Sequence, residues 1–209
     1  GREGICKGWL LGKPGEGLPL MFHLMNEARL SVGLQGVATG NLAYQWAYRY
    51  AHERIQGVRF QDRQKADAAR VVIAEHPDVH VELMTSKALA EGMRMLSMRA
   101  AYAIDTGDST TLAWLIPICK AFNSDMGFWV AHRAVQIHGG YGYLQDYGVE
   151  RCMRDVRIAS IYEGTNGVQA LDLLTRKLID RDGLLFRSYL SEFDRFLMSI
   201  DGELALADL

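Results

Sequence analysis

The 209-residue sequence has only three cysteines and four prolines. Cys6, Cys119 and Cys152 lie far apart and form no CxxC pair, which excludes a disulfide framework and a cysteine zinc site and predicts reduced thiols. No uninterrupted apolar run reaches the roughly 18 residues that a membrane-spanning helix needs. The sequence also lacks the Walker A and GxSxG motifs, so neither a phosphate-binding P-loop nor a serine nucleophile is predicted.

The charge of the chain has no dominant sign. There are 23 Lys and Arg against 25 Asp and Glu, giving a net charge of −2, so a basic nucleic-acid surface is not predicted. Hydrophobic residues make up 49% and charged residues 23%, as in ordinary globular domains. The chain does not begin with Met, and its first residues resemble neither a signal peptide nor a transit peptide. We therefore expect a piece of a longer protein.

Helical spacing of apolar residues dominates the sequence. Residues 57–67 are charged and aperiodic and predict a loop, whereas residues 68–75 are expected to be helical up to Pro77. Asp78 has the character of an N-cap for the helix that follows. The predicted helices cover residues 18–56, 79–106, 112–137 and 168–180, with a short helix at 149–158 and an amphipathic segment at about 183–199.

Glycines interrupt the first helix at Gly33, Gly36 and Gly40. Each costs about 1 kcal/mol relative to Ala, which suggests that another element approaches closely there. The glycine-rich residues 1–17 predict a short strand remnant around GWLL and then a loop. The expected architecture is therefore all-α: an up-and-down four-helix bundle with a short N-terminal β/loop remnant.

Two histidines and a glycine-rich loop are candidates for ligand binding. His76 and His80 are spaced like metal ligands, but Pro77 prevents a regular turn between them, so they predict a helix entrance and no metal site. The loop HGGYGYLQDYG at 138–148 does not follow a strand, so it is not a dinucleotide-binding fingerprint. The loop either simply breaks the helix, which the residues favour, or lets a flat ligand approach the backbone.

Glu163 in the segment IYEGTN is the strongest candidate for acid–base chemistry. A glutamate at a turn that leaves a buried segment can project into a cleft and act as a general base. The alternative is an acidic residue at a helix N-terminus, where the macrodipole stabilises it. The residues alone favour this second interpretation.

Two longer segments resemble a known family. VQIHGGYGYLQDYGVERCMRDVRIASIYEGTNGVQALDL at 135–173 resembles the C-terminal signature of acyl-CoA dehydrogenases, and residues 21–57 resemble the first helix of the same domain. The resemblance implies three parts: a β-domain remnant and linker at 1–17, the four-helix bundle at 18–182, and a helical extension at 183–209. The insertion at 57–78 is similar to that of the larger methylmercaptopropionyl-CoA dehydrogenase-like branch.

The resemblance implies an FAD-dependent α,β-dehydrogenation of an acyl-CoA thioester, in which hydride passes to the flavin N5. Glu163 matches the base that removes the α-proton, and Gly164 matches a backbone contact of the thioester. Arg29 matches an arginine near the catalytic carboxylate, although an ion pair with Glu27 or a buried bridge is an equal alternative. Tyr162 matches the acyl pocket, or else fills the core.

Several further residues match the family's FAD contacts. Arg54 matches an arginine that binds the pyrophosphate across a dimer, and guanidinium suits phosphate geometry. Gly57 departs from the family pattern on the adenine side of the FAD site, and Gly167 departs from it beside the flavin. The predicted FAD-binding residues are Arg54, Gln56, Gln136, Ile137, Gly139, Gly140, Thr165 and Asn166.

The resemblance also implies partners. We expect an acyl-CoA substrate, electron-transfer flavoprotein as electron acceptor, and a homodimer or homotetramer, with no nucleic acid and no membrane span. Cytoplasmic location is expected, with the mitochondrial matrix as an alternative, and this stretch alone is expected to be inactive. The rival functions are an acyl-CoA oxidase of the same superfamily and a non-catalytic, oligomerising or nucleic-acid-associated relative.

Overall fold

Three long helices form the frame of the molecule in a computed structural model, which describes residue 4 and residues 6–200. They are α1 (Gly17–Glu53), α2 (Pro77–Asp105) and α3 (Ser109–His138). The prediction that Asp78 caps α2 is wrong, because His76 is the N-cap and Pro77 opens the helix. Proline suits this first position because the missing N–H would have no helical partner. Asp108 caps α3, its carboxylate accepting a hydrogen bond from the Thr111 N–H at 3.0 Å.

The helices run up, down and up, and glycines set how closely α1 meets α3. A Cβ atom placed on Gly36 would lie 2.1 Å from the Asn123 carbonyl oxygen, and one on Gly127 would lie 2.4 Å from the Gly36 oxygen. Only glycine permits such an approach of two backbones. The prediction that another element approaches closely at Gly33, Gly36 and Gly40 is confirmed, because all three meet α3. The two helices α1 and α3 lie side by side in parallel.

A small hairpin joins α1 to α2. Strand β1 (Ile55–Val58) pairs antiparallel with β2 (Arg70–Val72), and a 3-10 turn over Ile73–Glu75 leads into α2. The helix predicted at 68–75 is therefore wrong, whereas the loop predicted at 57–67 is the connection between the two strands, except that Gly57 and Val58 belong to β1. The β-branched run at 71–73 favours extended backbone. The residues that directly follow α1 pair with it and satisfy its backbone hydrogen bonds.

Short elements follow α3. The glycine-rich segment forms 3-10 turns at Gly139–Tyr143 and Gln145–Tyr147 in place of an irregular loop. The remaining elements are α4 (Val149–Val156), a 3-10 turn (Arg157–Ser160), α5 (Asn166–Leu171), a π-helical stretch (Asp172–Lys177) and α6 (Leu184–Ile200). The predicted helix at 168–180 thus begins two residues earlier and changes to π-helical winding.

The described part of the C-terminal extension packs on α2 and α3. Leu185 is buried beside Trp114, whose ring lies 5.4 Å from that of Phe186. Arg99 of α2 pairs with Glu192 of α6 at 2.6 Å. Residues 201–209 of the predicted extension lie outside the described residues.

The predicted N-terminal strand is absent from the described part of this segment. Residue 4 and residues 11–15 form bends and turns, residues 6–10 and 16 have no regular structure, and Trp9 is 88% exposed. A strand needs a neighbouring strand to pair with its backbone, and GWLL has none here. Within the described residues, none of the helices has the length and apolar character needed to cross a bilayer.

Candidate active site

The Glu163 turn lies between the 3-10 turn after α4 and the start of α5. Glu163 has φ +54° and Gly164 has φ +83°, two consecutive residues in the left-handed region. Thr165 then caps α5, its hydroxyl accepting from the Val168 N–H at 3.3 Å. A non-glycine residue with positive φ is uncommon and persists only where its surroundings hold it. The half-buried Glu163 side chain is thus presented by a strained turn.

Arg29 of α1 lies beneath this turn. Its side chain is almost fully buried, and a Cβ on Gly164 would lie 3.9 Å from its Nη2. The guanidinium pairs with Asp172 at 3.6 Å, and Asp172 in turn pairs with Arg176 at 2.6 Å. Of the alternatives for Arg29, the structure therefore shows a buried bridge beside Glu163 and no ion pair with Glu27.

Gln169 supports the turn from below. It is 1% exposed, and its Nε2 donates to the backbone oxygens of Glu163 and Gly164 at 3.4 and 3.2 Å. Tyr162 donates its hydroxyl proton to Gln35 of α1. Sequence reasoning missed Gln169, whose one available signal is a polar residue four positions after the Thr165 cap.

Asn166 connects the turn to α3. Its Oδ1 accepts from Lys120 at 2.9 Å, and its Nδ2 donates to Asp125 at 2.7 Å and to Ser124 at 3.0 Å. Both Thr165 and Asn166 also line a groove of about 460 Å³ with Trp129. The predicted flavin-side residues therefore form a surface next to Glu163, but their side chains are engaged within the chain.

A second groove lies at the far end of the bundle and has a volume of about 450 Å³. The guanidinium of Arg54 lies 5.5 Å from the centre of the Tyr141 ring on its wall. Burial lowers the pKa of His138 beside it, which favours the neutral imidazole and leaves Arg54 as the cation of this wall. Five of the predicted FAD residues line this groove: Arg54, Gln56, Ile137, Gly139 and Gly140. Gln136 is exposed and lies outside its lining.

The two parts of the predicted site are widely separated in one chain. Tyr162, next to Glu163, contacts α1 at Gln35, whereas Arg54 directly follows the end of α1. From position 35 to position 54, at about 1.5 Å per residue, the distance along the helix is roughly 28 Å. The groove at the end of α1 therefore lies roughly 28 Å from the Glu163 turn, which contacts the middle of this helix.

Two of the three cysteines are buried in the helices. Burial raises the pKa of the Cys119 thiol to about 12, and burial also raises that of Cys152. A thiolate is the reactive form of cysteine, so neither side chain is a nucleophile at neutral pH.

The fold is an all-α bundle that presents a glutamate on a strained turn above buried cations. The family model for the acyl-CoA dehydrogenase C-terminal domain matches residues 15–178. The chain therefore belongs to the acyl-CoA dehydrogenase family and forms its C-terminal domain. This confirms the fold class and the resemblance found in the sequence.

Individual relatives agree with this assignment. The chain is 38% identical over 208 residues to 3-methylmercaptopropionyl-CoA dehydrogenase of Ruegeria pomeroyi, covering 95% of this chain and 34% of that protein. It is 35% identical over 212 residues to a broad-specificity linear acyl-CoA dehydrogenase of Mycobacterium tuberculosis, covering 95% of this chain and 35% of that protein. Butyryl-CoA dehydrogenase of Megasphaera elsdenii superimposes with a TM-score of 0.68 at 30% identity, over 78% of this chain and 39% of that one. The chain spans about a third of the length of the two relatives.

Proposed function

We propose that this domain works in an FAD-dependent acyl-CoA dehydrogenase that oxidises the Cα–Cβ bond of an acyl-CoA thioester. Glu163 is the base that removes the α-proton. The observation that carries the proposal is the Glu163 turn itself. Within the described residues, this carboxylate makes no ion pair within 4.0 Å, while Arg29 and Lys120 lie beneath it.

The chemistry requires a positioned carboxylate. An α-proton next to a thioester is weakly acidic, so the base must be close to it and correctly oriented. Gln169 supports the left-handed backbone at Glu163, and this fixes the point on the turn from which the carboxylate projects. Removing the proton leaves enolate charge on the thioester oxygen, and the Gly164 N–H is the proposed donor to that oxygen. Tyr162 is the proposed neighbour of the acyl chain.

The far groove fits part of an FAD molecule. A guanidinium faces it, and a Cβ placed on Gly139 or Gly140 would meet no atom within 4 Å, so a ligand can approach the backbone there. Arg54 would bind the pyrophosphate through paired N–H donors, with Gln56 beside it. The chemistry supplied by bound FAD is acceptance of the hydride that leaves the β-carbon.

The separation of the two regions supports a pair of subunits. Because the Arg54 groove and Glu163 lie roughly 28 Å apart along α1, we infer that one catalytic centre combines Glu163 of one copy with the groove of another. A homodimer or homotetramer follows, with electron-transfer flavoprotein as electron acceptor and cytoplasmic location as further predictions. Since the chain spans about a third of its relatives, we expect it to be inactive without the remaining domains.

Replacement of the base tests the proposal. In the complete enzyme, Glu163→Gln keeps the size of the side chain but cannot accept a proton, so we expect turnover of acyl-CoA to fall by several orders of magnitude with the flavin absorbance retained. Steady-state oxidation of an acyl-CoA panel with an artificial acceptor measures this. Glu91→Gln, on the exposed face of α2, is the control and should leave turnover unchanged. An unchanged rate for Glu163→Gln would remove the proposal.

A further inference from the structure

Asn166, the first residue of α5, is bound to α3 through both ends of its side-chain amide. Its Oδ1 accepts a hydrogen bond from the Nζ of Lys120 at 2.9 Å. Its Nδ2 donates to the Asp125 carboxylate at 2.7 Å and to the Ala121 carbonyl at 3.2 Å, and the Ser124 hydroxyl lies 3.0 Å away. An amide has two donor hydrogens and one oxygen, so both hydrogens and the oxygen have partners on α3.

The chemistry of these partners fixes the orientation of the amide. A lysine Nζ donates and does not accept, whereas an ionised carboxylate and a backbone carbonyl accept and do not donate. The oxygen of Asn166 therefore faces Lys120, and the NH2 group faces Asp125 and Ala121. A flipped amide would lose all three hydrogen bonds.

Lys120 is the fully buried member of this group. Its side chain is 0% exposed in α3, and lysine is rarely buried to this extent without a partner. Among the residues that the structure describes, Asn166 accepts the hydrogen bond of its Nζ, and no carboxylate oxygen lies within 4.0 Å. A buried donor without an acceptor is costly, so the position of Lys120 also fixes the position of Asn166.

The residue held in this way lies three positions after Glu163, where the strained turn ends. Glu163 and Gly164 have φ of +54° and +83°, and such conformations persist only where the surroundings hold them. Gln169 binds the two carbonyl oxygens of the turn. The Asn166 amide binds the end of the turn to α3, which is a second and separate support.

We propose that Lys120 and Asn166 are positioning residues: their hydrogen bond fixes the Glu163 turn against α3, and the side chain of Asn166 is not a flavin contact. The catalytic meaning of this role rests on the proposed function of Glu163. A side chain whose two donors and oxygen already have partners within the chain would have to break one of those bonds to bind a ligand. The role of Asn166 is therefore to place its neighbours.

The first test is amide hydrogen exchange in this 209-residue chain, followed by NMR. The reporters are the backbone N–H groups of Val168 and Gln169, which bond to Thr165 at the start of α5. In Lys120→Met we expect both to exchange about tenfold faster, as for the loss of one hydrogen bond from a charged donor. The melting temperature should stay the same or rise, because methionine replaces a buried polar side chain at similar volume. Lys87→Met, on the exposed face of α2, is the control and should change neither quantity.

Three results of this exchange experiment would overturn the proposal. One is unchanged exchange at Val168 and Gln169 in folded Lys120→Met. The others are an equal acceleration in α2 and a Lys120→Met chain that does not fold, because Lys120 would then support the whole bundle and not the turn.

A double-mutant cycle tests whether the two residues act together. Asn166→Ala removes the bonds at both ends of the amide, so it should accelerate exchange of the same two amides at least as much as Lys120→Met. Adding Lys120→Met to Asn166→Ala should then cause little further acceleration, less than about twofold. Additive effects would mean that Lys120 acts on the turn by another route, and they would contradict the proposal.

The complete enzyme separates positioning from flavin binding. We expect kcat to fall about tenfold in both Lys120→Met and Asn166→Ala, because a displaced turn misplaces the carboxylate, with KM and the flavin content unchanged. Loss of flavin in Asn166→Ala alone would identify its side chain as a cofactor contact and refute this assignment. Since amide exchange needs neither substrate nor flavin, its outcome is separate from that of the Glu163→Gln assay.

Discussion

At the scale of single residues, the Glu163 turn depends on backbone conformations that most side chains avoid. Gly164 has φ +83°, and a Cβ there would lie 2.8 Å from the buried Nε2 of Gln169. That amide holds the carbonyls of both Glu163 and Gly164. Any side chain at this position therefore strains the backbone and displaces the Gln169 amide that supports the Glu163 turn.

Gly164→Ala should lower the free energy of unfolding by about 1–2 kcal/mol, because alanine at positive φ is strained and Gln169 must shift. Urea denaturation monitored by circular dichroism measures the change. Gly167→Ala, in the first turn of α5, is the control. Its Cβ would lie 3.8 Å from the nearest atom, the Thr165 hydroxyl oxygen, so the expected change in the free energy of unfolding is neutral or slightly stabilising. Equal effects of the two substitutions would contradict this account of the turn.

The buried partners of the turn show why the sequence predicts only part of the site. Glu163 was a candidate from the residues alone, Gly164 and Arg29 were identified from the family resemblance, and the structure brings the three together. Lys120, Gln169 and Asp172 were missed. Each is one polar residue among apolar neighbours in a helix, and periodicity cannot distinguish a buried polar position from an exposed one.

At the scale of elements, long periodic helices were predicted well and short paired strands were not. The predicted helices at 79–106 and 112–137 agree with α2 and α3 to within a few residues, because many turns of consistent spacing specify them. The β1–β2 hairpin depends on pairing across an 11-residue connection, and its strands have only four and three residues. So short a strand has too few residues for alternation to be recognised.

The close contact of α1 with α3 leads to a second prediction about the stability of the chain. Gly36→Ala places a methyl group 2.1 Å from the backbone carbonyl oxygen of Asn123 on α3, so the two helices must separate. We expect the free energy of unfolding to fall by about 3 kcal/mol, at the upper end of the usual cost of overpacking. Thermal and urea denaturation of the chain measure it.

Gly92→Ala on α2 is the control for this contact. A Cβ there meets no atom within 4 Å, so only the gain in helix propensity remains, and stability should rise by about 0.5–1 kcal/mol. If Gly36→Ala were as harmless as Gly92→Ala, the close packing of α1 on α3 would be refuted.

At the scale of the whole molecule, the distance between the Arg54 groove and the Glu163 turn determines how many chains would contribute to the proposed catalytic centre. The groove has a cationic wall and an open glycine backbone at the end of α1 and α3. The turn lies over the middle of α1, where the Tyr162 hydroxyl donates to Gln35. A symmetric pair of chains would bring the groove of each copy to the turn of the other.

Mixing two inactive variants of the complete enzyme tests this arrangement. Glu163→Gln removes the proposed base, and Arg54→Ala weakens the proposed pyrophosphate site, so each variant alone should lose most of its activity. If a centre takes Glu163 from one chain and Arg54 from the other, a mixed dimer has one centre with both residues intact and one with neither. Random pairing then restores about a quarter of the wild-type turnover. The control for subunit exchange is wild-type enzyme mixed with the double variant that carries both Glu163→Gln and Arg54→Ala. If confirmed mixed dimers of the two single variants recovered no activity, Glu163 and Arg54 would belong to the same centre of one chain.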